Sequence, residues 1–181
     1  NNHIGLPLTL LKLTGAHRYA VIEMGMSHFG ELAQLTQIAR PDVALVNNAL
    51  RAHVGCGFDG VGDIAKAKSE IYQGLNADGL ALIPCEDANA TVFQTASKAF
   101  KQHTFGVGQG DIHAENIVLQ PLSCAFDLVR GGERAAVLLP VPGKHNIHNA
   151  VAAAALALAA GLRLQEVSDG LQSFANIKGR L

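Results

Sequence analysis

The chain has 181 residues, 49% of them hydrophobic and 16% charged, with a formal net charge of −1 at pH 7. That is enough apolar material for one well-buried core, which excludes a disordered segment, and the near-neutral charge offers no basic field for nucleic acid. Three scattered cysteines, Cys56, Cys85 and Cys124, and the absence of tryptophan argue for reduced thiols in a cytosolic protein, against a disulfide framework, a zinc site or a sugar-stacking surface.

In chain order, Asn1 to Gly5 is a polar lead-in without an initiator methionine, so the chain is expected to be a piece of something longer. Pro7 suits a first helical turn, and Leu6, Leu8, Leu10, Leu11 and Leu13 predict a short buried helix ended by Thr14-Gly15. Tyr19-Ala-Val-Ile-Glu23 predicts a strand with both faces covered. Gly30 to Arg40 predicts a helix with Leu32, Leu35 and Ile38 on one face, stopped by Pro41. The strand Val43–Val46, a helix Asp63–Leu75 and the strand Leu80–Ile83 complete a strand–helix–strand rhythm that predicts parallel βαβ units.

A helix over Asp87–Ala99 and a short strand at Thr104-Phe105 follow. The texture then changes. Ile117–Leu119, Ala125–Val129 and Ala135–Leu139, with a hairpin turn at Arg130-Gly-Gly-Glu133, predict a small antiparallel subsheet, a β-rich insert at about 111–141. An alanine-rich helix ends at Gly161, and a last one covers Leu164 to Phe174. The run Ile147–Leu162 is too short and too weakly apolar to span a bilayer. The expected fold class is α/β: a mostly parallel sheet flanked by helices, in a single domain over residues 1–181.

The chemistry concentrates at strand ends, because ligands bind beyond the carboxyl ends of parallel strands. Glu23 closes one predicted strand; it reads as a metal or cation ligand, or as a capping or salt-bridged glutamate. His53 stands in the glycine-laden loop after the next strand and reads as solvated unless the two strands are neighbours. Their ends would then lie about 5 Å apart. Glu23 and His53 would converge on one ion, a sparse magnesium site of carboxylate, imidazole and waters. On the following helix Lys66 and Lys68 lie about 200° apart, so at most one faces inward. Lys68 shares its side with Ile64, Ile71 and Tyr72, and a partly buried lysine becomes a nucleophilic amine. Pro142-Gly-Lys-His-Asn opens the alanine-rich helix, with His145 or Asn146 as candidate N-cap. Asn149, one turn on, offers the donor and acceptor that match the edge of adenine.

Taken together, these motifs resemble the central, ATP-binding domain of the Mur ligases, over essentially the whole chain. They are Asn-Asn-x-Ile-Gly-Leu-Pro-Leu-Thr-Leu-Leu, Ile-Glu-Met-Gly-Met with Gly30-Glu31, Asn48…Ala-His53, Ala-Lys-Ala-Lys-Ser-Glu-Ile, Pro-Gly-Lys-His-Asn-x-x-Asn-Ala and the closing Gly-Arg-Leu. The Glu-Met-Gly-Met…Gly-Glu pattern is similar to the branch that adds D-Ala-D-Ala to UDP-MurNAc-tripeptide.

The resemblance implies that Glu23 and His53 hold Mg2+, and that Lys68 takes up CO2 as a carbamate supporting a second Mg2+. It implies that Asn149, with Asn2, contacts adenine, that His145 also binds ATP and that Arg180 reaches an ATP phosphate. ATP would phosphorylate the peptide's terminal carboxylate, and the D-Ala-D-Ala amine would attack the acyl phosphate, in a cytoplasmic, monomeric enzyme.

Two features depart from the family pattern. No G-x-x-x-x-G-K-[ST] phosphate loop occurs, so the fragment alone is expected to be inactive. The stretch after His53 reads Val-Gly-Cys-Gly-Phe-Asp where many relatives carry a glutamate. Alternatives are a related Mur or folylpolyglutamate-type ligase, or a non-catalytic nucleotide-binding module.

Overall fold

The computed structural model describes residues 1–51 and 57–174. They divide into two units, one of Asn1–Ile83 with Asp87–Gln102, the other of Pro84–Glu86 with His103 onward. His53 and Arg180 lie outside the described residues.

The first unit contains α1 (Gly5–Leu10), α2 (Glu31–Ala39), β1 (Val43–Leu45) and α3 (Val61–Ser69), which tightens into a 3-10 turn over Glu70–Gly74. It continues with β2 (Leu80–Pro84, through Ile83 in this unit) and α4 (Ala90–Ala96). β1 and β2 pair in parallel, from Val43 opposite Leu80 to Leu45 opposite Leu82, with α3 as the intervening helix. This is the predicted βαβ unit. Leu32 and Leu35 of α2, Ile64 of α3, and Ala81 and Ile83 of β2 meet in one core. Tyr72 is fully buried there and donates its hydroxyl to the Leu82 carbonyl at 3.0 Å, which satisfies the one polar atom of the ring.

Two expectations for this unit are corrected. Tyr19–Glu23 forms no strand, and no described strand pairs with it. Only Ile22, Met24 and Met26 turn inward, while Val21 is 86% exposed. A ladder needs a neighbour as well as β-branched residues, and composition does not reveal the neighbour. The leucine-rich start is similar: Leu6 is buried, whereas Leu8, Leu11 and Leu13 are exposed. Helical spacing puts Leu6 and Leu10 toward the core and Ile4, Leu8 and Leu11 on the other side.

The second unit carries β3 (Lys101–Val107, from His103 in this unit), β4 (Ile112–Leu119), β5 (Cys124–Arg130), β6 (Glu133–Leu139), α5 (Lys144–Ala159) and α6 (Leu164–Gln172). β3 and β4 pair in parallel, while β4–β5 and β5–β6 are antiparallel. The predicted hairpin is present: Arg130 faces Glu133, and Gly131 and Gly132 both adopt positive φ, as a two-residue turn between right-twisted strands demands. β4 begins earlier than expected because a bulge between Glu115 and Val118, with Asn116 at φ 50°, breaks the apolar alternation. The α/β class, with parallel pairs and an antiparallel subsheet flanked by helices, is as expected.

Among the described residues β6 pairs with β5 alone, so its outer edge carries unmatched backbone groups. Side chains of α6 meet them. Ser168 Oγ donates to the Ala136 carbonyl at 2.6 Å, Leu138 N–H donates to Gln172 Oε1 at 3.4 Å, and Gln172 Nε2 donates to Ser168 Oγ at 3.3 Å. Residues one turn apart on a helix thus match residues two apart on a strand edge. Replacing both, Ser168→Ala with Gln172→Ala, is expected to promote concentration-dependent self-association, read by analytical ultracentrifugation. A monomeric double variant at every concentration would show that the edge needs no such cover.

Candidate active site

Lys68 occupies the inward side of α3, half-buried beside fully buried Ile64 and Ala67. Its Nζ donates to the backbone carbonyl of Asn48, just past β1, at 2.6 Å. Burial lowers the pKa of its ammonium and the charge of Asp87 partly offsets this, so a neutral amine is more accessible than on a surface lysine. Lys66 points away, its side chain 65% exposed and paired with Asp63 one turn earlier. The helical spacing separates the two lysines as predicted.

Glu23 is exposed rather than set at a buried strand end, with 73% of its side chain accessible. Its carboxylate pairs with the amino group of Asn1, its carbonyl accepts from Asn1 Nδ2 at 2.9 Å, and Gly25 N–H donates to the Asn1 carbonyl at 2.9 Å. The Asn1-Asn2 start is therefore fastened to the Glu23 segment. Asn2 Oδ1 accepts from Ile4 and Gly5 N–H at 3.1 and 3.0 Å, holding the first turn of α1. Its amide oxygen is thus already engaged.

No cluster of three potential metal ligands occurs among the described residues. An outward carboxylate such as Glu23 still suits Mg2+, which keeps several waters and takes one or two protein carboxylates.

His145 and Asn149, both exposed, belong to the second unit, in the first turns of α5. Neither His145 nor Asn146 is the N-cap. That position is Gly143, at φ 101°, and Asn146 Nδ2 reaches back to the Pro142 carbonyl at 2.7 Å. Glycine serves because a left-handed φ turns the chain into the helix there.

Two acidic residues escaped the sequence reading. Asp87 Oδ2 accepts from Ala49 N–H at 2.6 Å and its Oδ1 from Asn89 N–H at 2.8 Å. Glu70 accepts from Gly30 N–H with both oxygens at 2.9 Å, placing a carboxylate at the N-terminus of α2, where unpaired amides and the helix dipole favour it. An Asp before a helix reads only as a cap, so Asp87 gave a signal for one of its two roles and none for the other.

Residues 1–157 match the model of the Mur ligase middle domain, and the chain belongs to that family.

Among curated relatives, the UDP-N-acetylmuramoyl-tripeptide–D-alanyl-D-alanine ligases of Haemophilus influenzae and Escherichia coli are each 40% identical over 100% of the chain. The chain covers 39% of the first relative and 40% of the second, so it spans about two-fifths of their length. A crystal structure of MurF from Acinetobacter baumannii superposes with a TM-score of 0.95 at 40% identity, covering 100% of this chain and 40% of that one. MurF from Thermotoga maritima in complex with ADP, 23% identical with a TM-score of 0.81, shares the fold; the match covers 99% of this chain and 41% of that one.

No described helix is long and apolar enough to cross a membrane.

Proposed function

We propose that the chain is the central segment of an ATP-dependent amide ligase that joins D-Ala-D-Ala to UDP-MurNAc-tripeptide in the cytoplasm, acting as a monomer. The observation that carries this reading is Lys68: a desolvated amine held by Asn48 beyond β1, in a domain whose 40%-identical relatives bear that ligase name.

The neutral Lys68 amine attacks the carbon of CO2, loses its proton and becomes a carbamate, turning a cation into an anion on the rim of the site. That anion, Glu23 and His53 are the groups that would hold Mg2+. When bound, the metal neutralises charge on the transferring phosphoryl group. Glu23 suits this because its carboxylate is open. Asn2, His145, Asn149 and Arg180 are the proposed ATP-binding residues, Asn149 toward adenine and Arg180 toward a phosphate.

The test is direct. The full-length protein, given ATP, Mg2+, UDP-MurNAc-tripeptide and D-Ala-D-Ala, should release phosphate and yield one peptide-linked product by mass spectrometry. Phosphate release only with a different amine, or nucleotide binding without turnover, would sink the reading in favour of a related ligase or a binding module. His53→Ala should raise the Mg2+ concentration needed for half-maximal rate; an unchanged requirement removes His53 from the site.

A further inference from the structure

We propose that Asp87 is a positioning residue for Lys68, acting through the peptide unit between Asn48 and Ala49; this rests on the ligase reading above. The two hydrogen bonds fall on opposite ends of one rigid plane. Lys68 Nζ donates to the Asn48 carbonyl at 2.6 Å, and the Ala49 N–H of the same peptide donates to Asp87 Oδ2 at 2.6 Å. The carbonyl and N–H of a trans peptide point in opposite directions, so the plane is clamped between the Lys68 amine on α3 and the Asp87 carboxylate just after β2.

The bond to Asp87 is charge-assisted, and both bonds polarise the peptide in the same sense, so the two reinforce one another. Releasing the N–H end frees the plane to rotate, and rotation swings the Asn48 carbonyl away from Lys68. Ala49 is 4% exposed, so little water reaches it to replace the lost acceptor.

Asp87 has a separate duty that must be told apart from this one. Its Oδ1 accepts from Asn89 N–H at 2.8 Å and from Asn89 Nδ2 at 3.2 Å, organising the approach to α4. The two oxygens divide the labour: Oδ2 serves the site and Oδ1 serves the helix.

The experiment uses the full-length ligase with Asp87→Ala, Asp87→Asn and Asn89→Ala. Asp87→Ala should lower kcat by roughly tenfold or more while KM for ATP stays within about twofold, as expected for losing a charge-assisted hydrogen bond. Asp87→Asn retains an acceptor oxygen and should recover most of that loss. Asn89→Ala, which touches only the helix side, should keep the parent rate. Independently of activity, hydrogen exchange at the Ala49 amide should accelerate at least about tenfold in Asp87→Ala and stay slow in the other two variants.

The proposal is overturned if asparagine is as damaging as alanine, if Asn89→Ala reproduces the loss, or if Ala49 exchange does not move. A full-length protein that forms no amide product from ATP, UDP-MurNAc-tripeptide and D-Ala-D-Ala would overturn the ligase reading itself, and the Ala49 exchange result would still report whether the clamp exists.

Discussion

Lys68→Ala is expected to abolish ligation by the full-length enzyme, with a loss of at least about a thousandfold in kcat, the scale on which removing a group that organises transition-state charge is felt. No other amine among the described residues is held as Lys68 is, by a 2.6 Å bond to the Asn48 carbonyl and with its charged form disfavoured by burial. The chemistry proposed for it needs the neutral amine first and the carbamate afterwards. Small carboxylates such as acetate or propionate should therefore restore part of the rate to Lys68→Ala by supplying the missing anion. They should not help Lys68→Arg, where a guanidinium occupies the space. Full activity in Lys68→Ala would exclude the carbamate role, and loss without any rescue would point to a structural lysine instead.

The second large effect is on stability. Gly74 ends the 3-10 turn after α3 against the backbone of α2, and a methyl group built on it would lie 2.2 Å from the Thr36 carbonyl oxygen and 2.5 Å from Thr36 Oγ1. Neither is the free end of a flexible side chain, since Thr36 is fully buried and its Oγ1 donates to the Ile71 carbonyl at 2.7 Å. Gly74→Ala must push α2 and the turn apart, at a cost of about 3 kcal/mol. Gly62, in the first turn of α3, is the internal control: nothing lies within 4 Å of its added methyl, and Gly62→Ala should stabilise by about 0.5 kcal/mol. Denaturant midpoints of the two variants should move in opposite directions. A Gly74→Ala protein as stable as its parent would mean the two elements are not as close as described.

Much of the fold was legible because β1, β2, α3 and α5 have patterns that local chemistry dictates: short apolar runs for buried strands, and 3.6-residue spacing for the helices. The inward course of Lys68 was legible for the same reason, since helix geometry alone separates it from Lys66. What escaped depended on partners distant in the chain. Tyr19–Glu23 has strand-like residues without a described neighbour, and β4 hides its first half behind a bulge at Asn116. Asp87 and Glu70 escaped because their partners, Ala49 and Gly30, are 38 and 40 residues away and offer only backbone N–H, which every sequence position but proline provides. The His53 and Arg180 assignments fall outside the described residues and rest on the family pattern.

The cover that α6 lays over β6 also has a timetable. Ser168 follows Ala136 by 32 residues and Gln172 follows Leu138 by 34, so a ribosome finishes the strand well before it makes the groups that shield it. At roughly 5–20 residues per second, the bare edge lasts for about 2–7 s of synthesis. Exposed Leu122 and Leu138 lie on the same hairpin system, so nascent chains crowded on one message are most exposed to mispairing during that interval. Slowing translation between Leu139 and Ser168 with rare codons should lower soluble yield more than the same codons placed after Gln172.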